Sequence, residues 1–347
     1  MQPLSEPPTS LSPSRRLTLK LAASAFAAQV MSGCGGSDAV AGPVAPTTPI
    51  AVTEAVNGFG ALAPDATHCL VQVEGPAGMW SASWQPDRQL FVGSAVKTFM
   101  LAQTVLDMAD LRNGLNGATQ QPVSDKVRSP GSPVLQYLDG TLSMRSVLEA
   151  MIAHSDNTAT DIALAAATPA RVRQLIARAG LANTQIPDST RQLFSYLAGA
   201  PAGVDLGWAG LMATPDPNPN ARPAVNDVQS MRSTATELVN WYRLTLAEGF
   251  FPNAAALTEY KRILAMADAI AVIVPPDIAA FGKGGSIDWE GFHALCFAGR
   301  MVVDRTPVTF CFTYNWSGAE MSTGAPFERF AQRSSAVLKS VVQALRN

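Results

Sequence analysis

Three short stretches hold the residues most capable of joint chemistry. In Gly93-Ser94-Ala95-Val96-Lys97 a hydroxyl and an amine lie three residues apart. A serine hydroxyl is a weak nucleophile at neutral pH and needs a base beside it. Lysine serves as that base where burial or nearby cations lower its pKa. Residues three apart on a helix share a face, and a helix N-terminus adds amide N–H groups that favour a developing oxyanion. The same spacing also fits a capping serine followed by a solvated lysine. Against that, the chain has six lysines and no other Ser-x-x-Lys, and the flanking Leu90-Phe91-Val92 and Thr98-Phe99-Met100-Leu101 are apolar.

The second stretch is His154-Ser155-Asp156-Asn157-Thr158, between two helical patterns. There Ser155 can pass a proton and Asn157 can bind an amide, although Ser, Asp and Asn are also ordinary helix caps. Third is Phe281-Gly282-Lys283-Gly284-Gly285-Ser286. Its glycines, Gly285 among them, would let a substrate lie along an edge strand, and Lys283 offers charge to a carboxylate. A glycine-rich turn with an exposed lysine fits equally.

These stretches must be held by the elements around them. His68–Glu74 and Met79–Trp84 read as a hairpin over Gly75-Pro76-Ala77-Gly78, and Phe292–Val303 with Val308–Tyr314 as a second. Helical spacing marks 94–111, 142–154, 156–167, 169–179, 234–246, 253–266 and 327–345. Residues 199–226, rich in Pro, Gly and Asn, read as a long surface excursion. An isolated hairpin is marginal, so strands from both ends of the chain must share one sheet. The expected fold is α+β: a mostly antiparallel sheet flanked by helices (50–93 plus 267–347) with an inserted all-α lobe (94–266). The site belongs in the cleft between them.

Composition narrows the function further. With 47% apolar residues, 15% charged and a net charge of -2, the chain is neither disordered nor a polybasic nucleic-acid binder. Arg15-Arg16 ahead of the short apolar run 21–31 is the twin-arginine export pattern. Met31-Ser32-Gly33-Cys34 resembles a lipoprotein cleavage box, with Cys34 the lipidated residue, so 1–34 reads as a signal and 35–49 as a flexible tether. The expectation is an exported protein, periplasmic or at the cell envelope, touching membrane only through that anchor and otherwise monomeric. Cys69, Cys296 and Cys311 lie in strand-like runs and are assigned to no disulfide. No metal or other cofactor is expected, because the three histidines have no ligand-like grouping.

Ser-x-x-Lys, Ser-Asp-Asn and Lys-Gly-Gly, in that order, resemble the penicillin-recognising serine enzymes, and Ser-Asp-Asn points to the class A β-lactamase branch. The resemblance extends to Asp139–Leu148 before Ser155 and to Thr168–Leu181 after it, and spans 50–347. It implies that Ser94 is acylated by a β-lactam or a peptidoglycan-like acyl donor. Lys97 would be its base, Ser155 a proton shuttle, Asn157 the holder of the substrate's side-chain amide and Lys283 the partner of its carboxylate. Ser286 would line the site and share the oxyanion hole with the N–H of Ser94, while Asp156 would tie the loop together. A β-lactamase is the leading expectation. A cell-wall D,D-peptidase or esterase that deacylates slowly is the alternative.

Three departures qualify the resemblance, one of them a longer stretch than usual between the second and third motifs, assigned to 199–226. The branch carries a Glu, followed four residues later by an Asn, to activate the deacylating water. Here Thr184–Phe194 has no Glu. Asp188 with Gln192 keeps the spacing and is the expected base, whereas an alignment pinned on Leu193 puts Thr190 in that place and leaves no base. Gly284 stands where the family usually has Thr or Ser. His293, ten residues beyond Lys283, lies where a carboxylate-binding cation would help.

Overall fold

The computed structural model describes residues 47–347; the twin-arginine stretch, Cys34 and nearly all of the tether lie outside the described residues. Helix α1 (Ile50–Gly60) precedes the hairpin of β1 (Thr67–Gly75) and β2 (Gly78–Trp84). A two-residue strand β3 (Leu90–Phe91) leads into a 3₁₀ turn, Gly93–Val96, continued by α2 (Lys97–Ala109). Then follow β4 (Gln120–Val123), β5 (Gly140–Ser143), α3 (Met144–Ala153), α4 (Asn157–Ala167), α5 (Pro169–Arg178) and α6 (Thr190–Leu197). Next come α7 (Gly207–Met212), β6 (Arg232–Ser233), α8 (Ala235–Thr245), α9 (Ala254–Leu264) and α10 (Asp268–Ala271). The chain closes with β7 (Ala279–Trp289), β8 (Phe292–Val303), β9 (Thr306–Ser317) and α11 (Ala325–Arg346).

The main sheet runs β2-β1-β9-β8-β7 and is antiparallel throughout. The two ends of the chain meet at β1 and β9, where Cys69 pairs with Phe312 and Val71 with Phe310. Successive side chains on a strand point to opposite faces. Phe312 therefore shares a face with its β8 partner Phe297, and both rings pack on helices: Phe59 of α1 lies 5.2 Å from Phe312, and Phe330 of α11 lies 4.9 Å from Phe297. The opposite face carries Glu74 and Arg300, and Arg243 of α8 joins them in an ion cluster. Helices on both faces explain why β8 and β9 are buried nearly end to end and read as continuous apolar runs.

The inserted segment differs from the all-helical lobe expected over 94–266. It contains the β4–β5 pair, and β6 pairs with β3. Helix α8 lies against β1, β8 and β9, as part of the sheet's helical layer. Local signals still set most helix starts: Ser143 caps α3 through Ser146 N (3.2 Å), Asp156 caps α4 through Ala159 N (2.8 Å) and Pro169 opens α5. Helix α6, absent from the sequence expectation, is capped by Ser189 through Gln192 N (2.9 Å). Cys69, Cys296 and Cys311 are free, buried thiols.

Candidate active site

The 3₁₀ turn presents Ser94 one turn ahead of Lys97, at the seam between β7 and the helical segment. That seam is close because its residues lack side chains. A Cβ on Gly285 would run into the Val92 carbonyl and stand 2.7 Å from the Ser94 and Ala95 nitrogens. One on Gly93, itself at φ +53, would lie 2.8 Å from Ser286 N. The amides of Ser94 and Ser286 thus flank one narrow space, where two N–H donors can meet an oxyanion.

Lys97 is fully buried, and its Nζ has three acceptors: Ser155 O at 2.6 Å, Asn157 Oδ1 at 2.8 Å and Ser155 Oγ at 3.3 Å. Burial and the charge of Lys283 push its pKa well below the ordinary lysine value; Asp156 and Asp161 pull it back in part. Three acceptors suit an ammonium, while the downward shift favours the free amine more than in an exposed lysine. Once Lys97 is neutral, the Ser155 hydroxyl can donate to it. Ser155 sits at φ +59, a left-handed conformation costly for a residue with a side chain and concentrated at functional sites.

The loop before α3 encloses this cluster. Asp156 accepts from the Val134 and Leu135 amides at 2.9 and 2.8 Å, so it holds the loop as expected. Asn157 bridges Lys97 and the 124–139 loop, its Nδ2 donating to Pro130 O at 2.6 Å and its Oδ1 accepting from Lys97. Across the crevice, Lys283 is buried in β7 and donates to Gly284 O at 2.7 Å. Burial lowers its pKa to about 7, against the pull of Cys296 and Asp268. Ser155, Lys283, Gly285 and Ser286 together line a crevice of about 210 Å³. Gly284 has a structural reason: a Cβ there would collide with Ala269 of α10, so the hydroxyl residue usual in the resembling family has no room.

Two expectations are corrected. Asp188 is not brought to this cluster. Its Oδ1 pairs with Arg173 at 2.6 Å, its Oδ2 accepts from Gln229 Nε2 at 2.6 Å, and its backbone N–H donates to Gln229 Oε1 at 3.0 Å. Partial burial alone would raise its pKa, but the bonds from Arg173 and Gln229 and the Arg173 charge hold it low. Both oxygens are committed away from the crevice, so the spacing to Gln192 misled. Nor is His293 turned towards a substrate carboxylate: Nδ1 meets Asp288 Oδ1 at 2.5 Å and Nε2 meets Gly318 O at 2.9 Å.

Thr190 takes the inner position instead. Its buried hydroxyl donates to Asp161 Oδ1 at 2.7 Å, lies 3.2 Å from Asn157 O and meets Ser129 Oγ at 2.9 Å. The Thr190 amide also bonds Asp161, at 2.6 Å. Burial raises the Asp161 pKa to about 6, opposed by the Thr190 and Arg191 hydrogen bonds and by Lys97. The sequence reading passed over Asp161. Its signal was available, because four residues after Asn157 it shares that residue's helical face.

An antiparallel sheet flanked by helices, with a crevice between its edge strand and a helical segment, defines the class of α+β fold. The profile of the β-lactamase enzyme family matches residues 67–243, just over half the sequence, and the chain belongs to that family. Among solved structures it is similar to PBP-A, at 14% identity and a TM-score of 0.61, over 87% of this chain and 99% of that one. It is similar also to a β-lactamase from Xanthomonas campestris pv. campestris, at 13% identity and a TM-score of 0.64, over 84% and 97%. A third is a point mutant of PBP-A described as an acyl-enzyme complex with penicillin G, at 14% identity and a TM-score of 0.60, over 86% and 100%. A search of curated proteins finds no match by sequence.

Proposed function

We propose that this protein is a serine hydrolase that opens β-lactam amides through an acyl-enzyme on Ser94. The observation that carries the reading is the buried Lys97 Nζ, bonded to Ser155 and Asn157 and one turn from Ser94. In this reading neutral Lys97 accepts the Ser94 hydroxyl proton as Oγ attacks the lactam carbonyl. The oxyanion rests between the amides of Ser94 and Ser286. Ser155 Oγ hands a proton to the lactam nitrogen as the C–N bond breaks and is reprotonated from Lys97. Lys283 faces the substrate carboxylate. Water then hydrolyses the acyl ester and releases Ser94.

One observation favours a second reading for that last step. Asp188 is tied to Arg173 and Gln229, and Thr190 stands at the inner position. Without a carboxylate to activate water, the acyl-enzyme persists, and the protein behaves as a penicillin-binding enzyme acting on peptidoglycan-like acyl donors. We extend the reading to an exported, monomeric enzyme anchored by a lipid on Cys34 at the cell envelope, a location that suits either substrate. A chromogenic cephalosporin followed by intact-protein mass spectrometry separates the readings. Rapid colour change without an accumulating adduct supports turnover. A long-lived adduct, lost in Ser94→Ala, supports the second reading, and neither colour change nor adduct overturns both.

A further inference from the structure

Beside the crevice the structure forms a larger cavity, of about 620 Å³. The two are linked through β7: Ser286 lines the crevice, Asp288 and Trp289 line the cavity, and Ser286 and Asp288 share one face of the strand. Pro130, whose carbonyl holds Asn157, lines the cavity from the other side. The outer wall comes from this chain's long excursion, through Leu211, Met212 and Asp216. Arg222 pins that excursion by donating to the carbonyls of Tyr196 (2.8 Å) and Gly199 (2.9 Å), and its own carbonyl accepts from Trp289 Nε1 at 2.9 Å.

The lining has two chemical parts. Phe194, Leu211, Trp289 and Met321 give it an apolar floor. Its charges are one-sided. Asp288 is committed to its own partners: Oδ1 lies 2.5 Å from His293 Nδ1, and Ser322 donates from N at 2.6 Å and Oγ at 2.7 Å. That leaves the carboxylates of Asp216 and Glu290, both exposed at the rim. Asn218, two residues from Asp216, donates its amide to Glu290 Oε1 at 3.2 Å, which brings the two acids to one edge. Among the described residues no lysine or arginine lines the cavity.

We propose that this cavity receives the side chain of the acyl donor, and that it selects an apolar stem ending in an ammonium group. The inference rests on the acyl-Ser94 reading above and adds the class of substrate. An apolar stem gains from leaving water against Trp289 and Leu211, and its terminal cation meets two carboxylates with no competing cation.

The test compares two penicillins built on 6-aminopenicillanic acid, one acylated with 6-aminohexanoic acid and one with hexanoic acid. They differ only in a terminal ammonium or hydrogen. The second-order rate of Ser94 acylation, read by intact mass, is expected to favour the ammonium compound by roughly three- to tenfold, the effect of one or two partly solvated ion pairs. Raising the salt from about 0.05 to about 0.5 M is expected to erase most of that preference in the unaltered protein. Asp216→Asn with Glu290→Gln should bring the ammonium compound down to the rate of the methyl compound. Equal rates at low salt overturn the inference and leave the acylation reading intact. Failure of both compounds either to form an adduct or to be hydrolysed overturns that reading as well.

Discussion

The two sides of the crevice are built to different standards. On one side three polar side chains have short partners: Lys97 to Ser155 and Asn157, Asn157 to Pro130, Asp156 to Val134 and Leu135. On the other, the loop entering α6 turns its carboxylate outward to Arg173 and offers the interior only a threonine hydroxyl. The difference teaches that forming an acyl-enzyme and releasing it draw on separate parts of the fold, so one set of groups can stand without the other.

The comparison breaks most decisively at Lys97. Lys97→Met removes the base while filling its buried space, and acylation should fall by roughly 10⁴-fold. A stopped-flow trace within about tenfold of the parent would mean that Lys97 does no proton transfer. Next in size is Gly285→Ala. Its added Cβ forces β7 away from the Ser94 turn, and a displacement near 1 Å costs about 10²-fold. A crystal structure of the variant should show the seam widened; unchanged acylation with a widened seam would remove the two-amide oxyanion site from the mechanism.

Lys283 gives a pH signature. With its pKa near 7 it is cationic at pH 6 and mostly neutral at pH 8. Attraction for a substrate carboxylate is therefore present below 7 and fades above it. If only the cationic form binds, apparent affinity should weaken about tenfold from pH 6 to pH 8, and Lys283→Gln should flatten the profile. A profile unchanged in the variant would assign the carboxylate to another group. Thr190→Val sharpens the opposite side. It leaves Asp161 and Asn157 O short of a buried donor and should cost about 1–3 kcal/mol in urea denaturation. The smallest effect belongs to Asp188→Asn. Deacylation should stay within about twofold, because an exposed ion pair to Arg173 contributes little to anything else. A trapped acyl-enzyme in this variant would restore Asp188 as the base.

Much of the scaffold was legible from the residues. Strand-like runs bounded by turn chemistry gave both hairpins, and polar caps gave the starts of α3 and α4. β7 was legible only in part, because its glycines look like a turn in sequence and become strand through pairing with β8 from Ala279 to Trp289. Helix α8 looked like one more lobe helix, and only its packing on β1, β8 and β9 assigned it to the sheet layer. Among the site residues, Lys97, Ser155 and Asn157 join through hydrogen bonds, the Ser94 turn meets Gly285 and Ser286, and Lys283 joins Ser155 at the crevice. Asp188 does not. Spacing along a chain records which residues can face one way, but it does not register a competing arginine fifteen residues earlier.

By itself the sequence determined the chemical inventory: a hydroxyl with an amine one helical turn away, a capping loop, glycines with a lysine on a strand, and the family they belong to. Those follow from local periodicity, which a linear string carries in full. Only the tertiary structure decided how far each group is desolvated and by whom it is held, because burial and partner choice arise from segments distant in the chain. That is why Lys97 and Lys283 sit below the ordinary lysine range, why Gly284 can carry no side chain, and why Thr190 faces inward while Asp188 faces out.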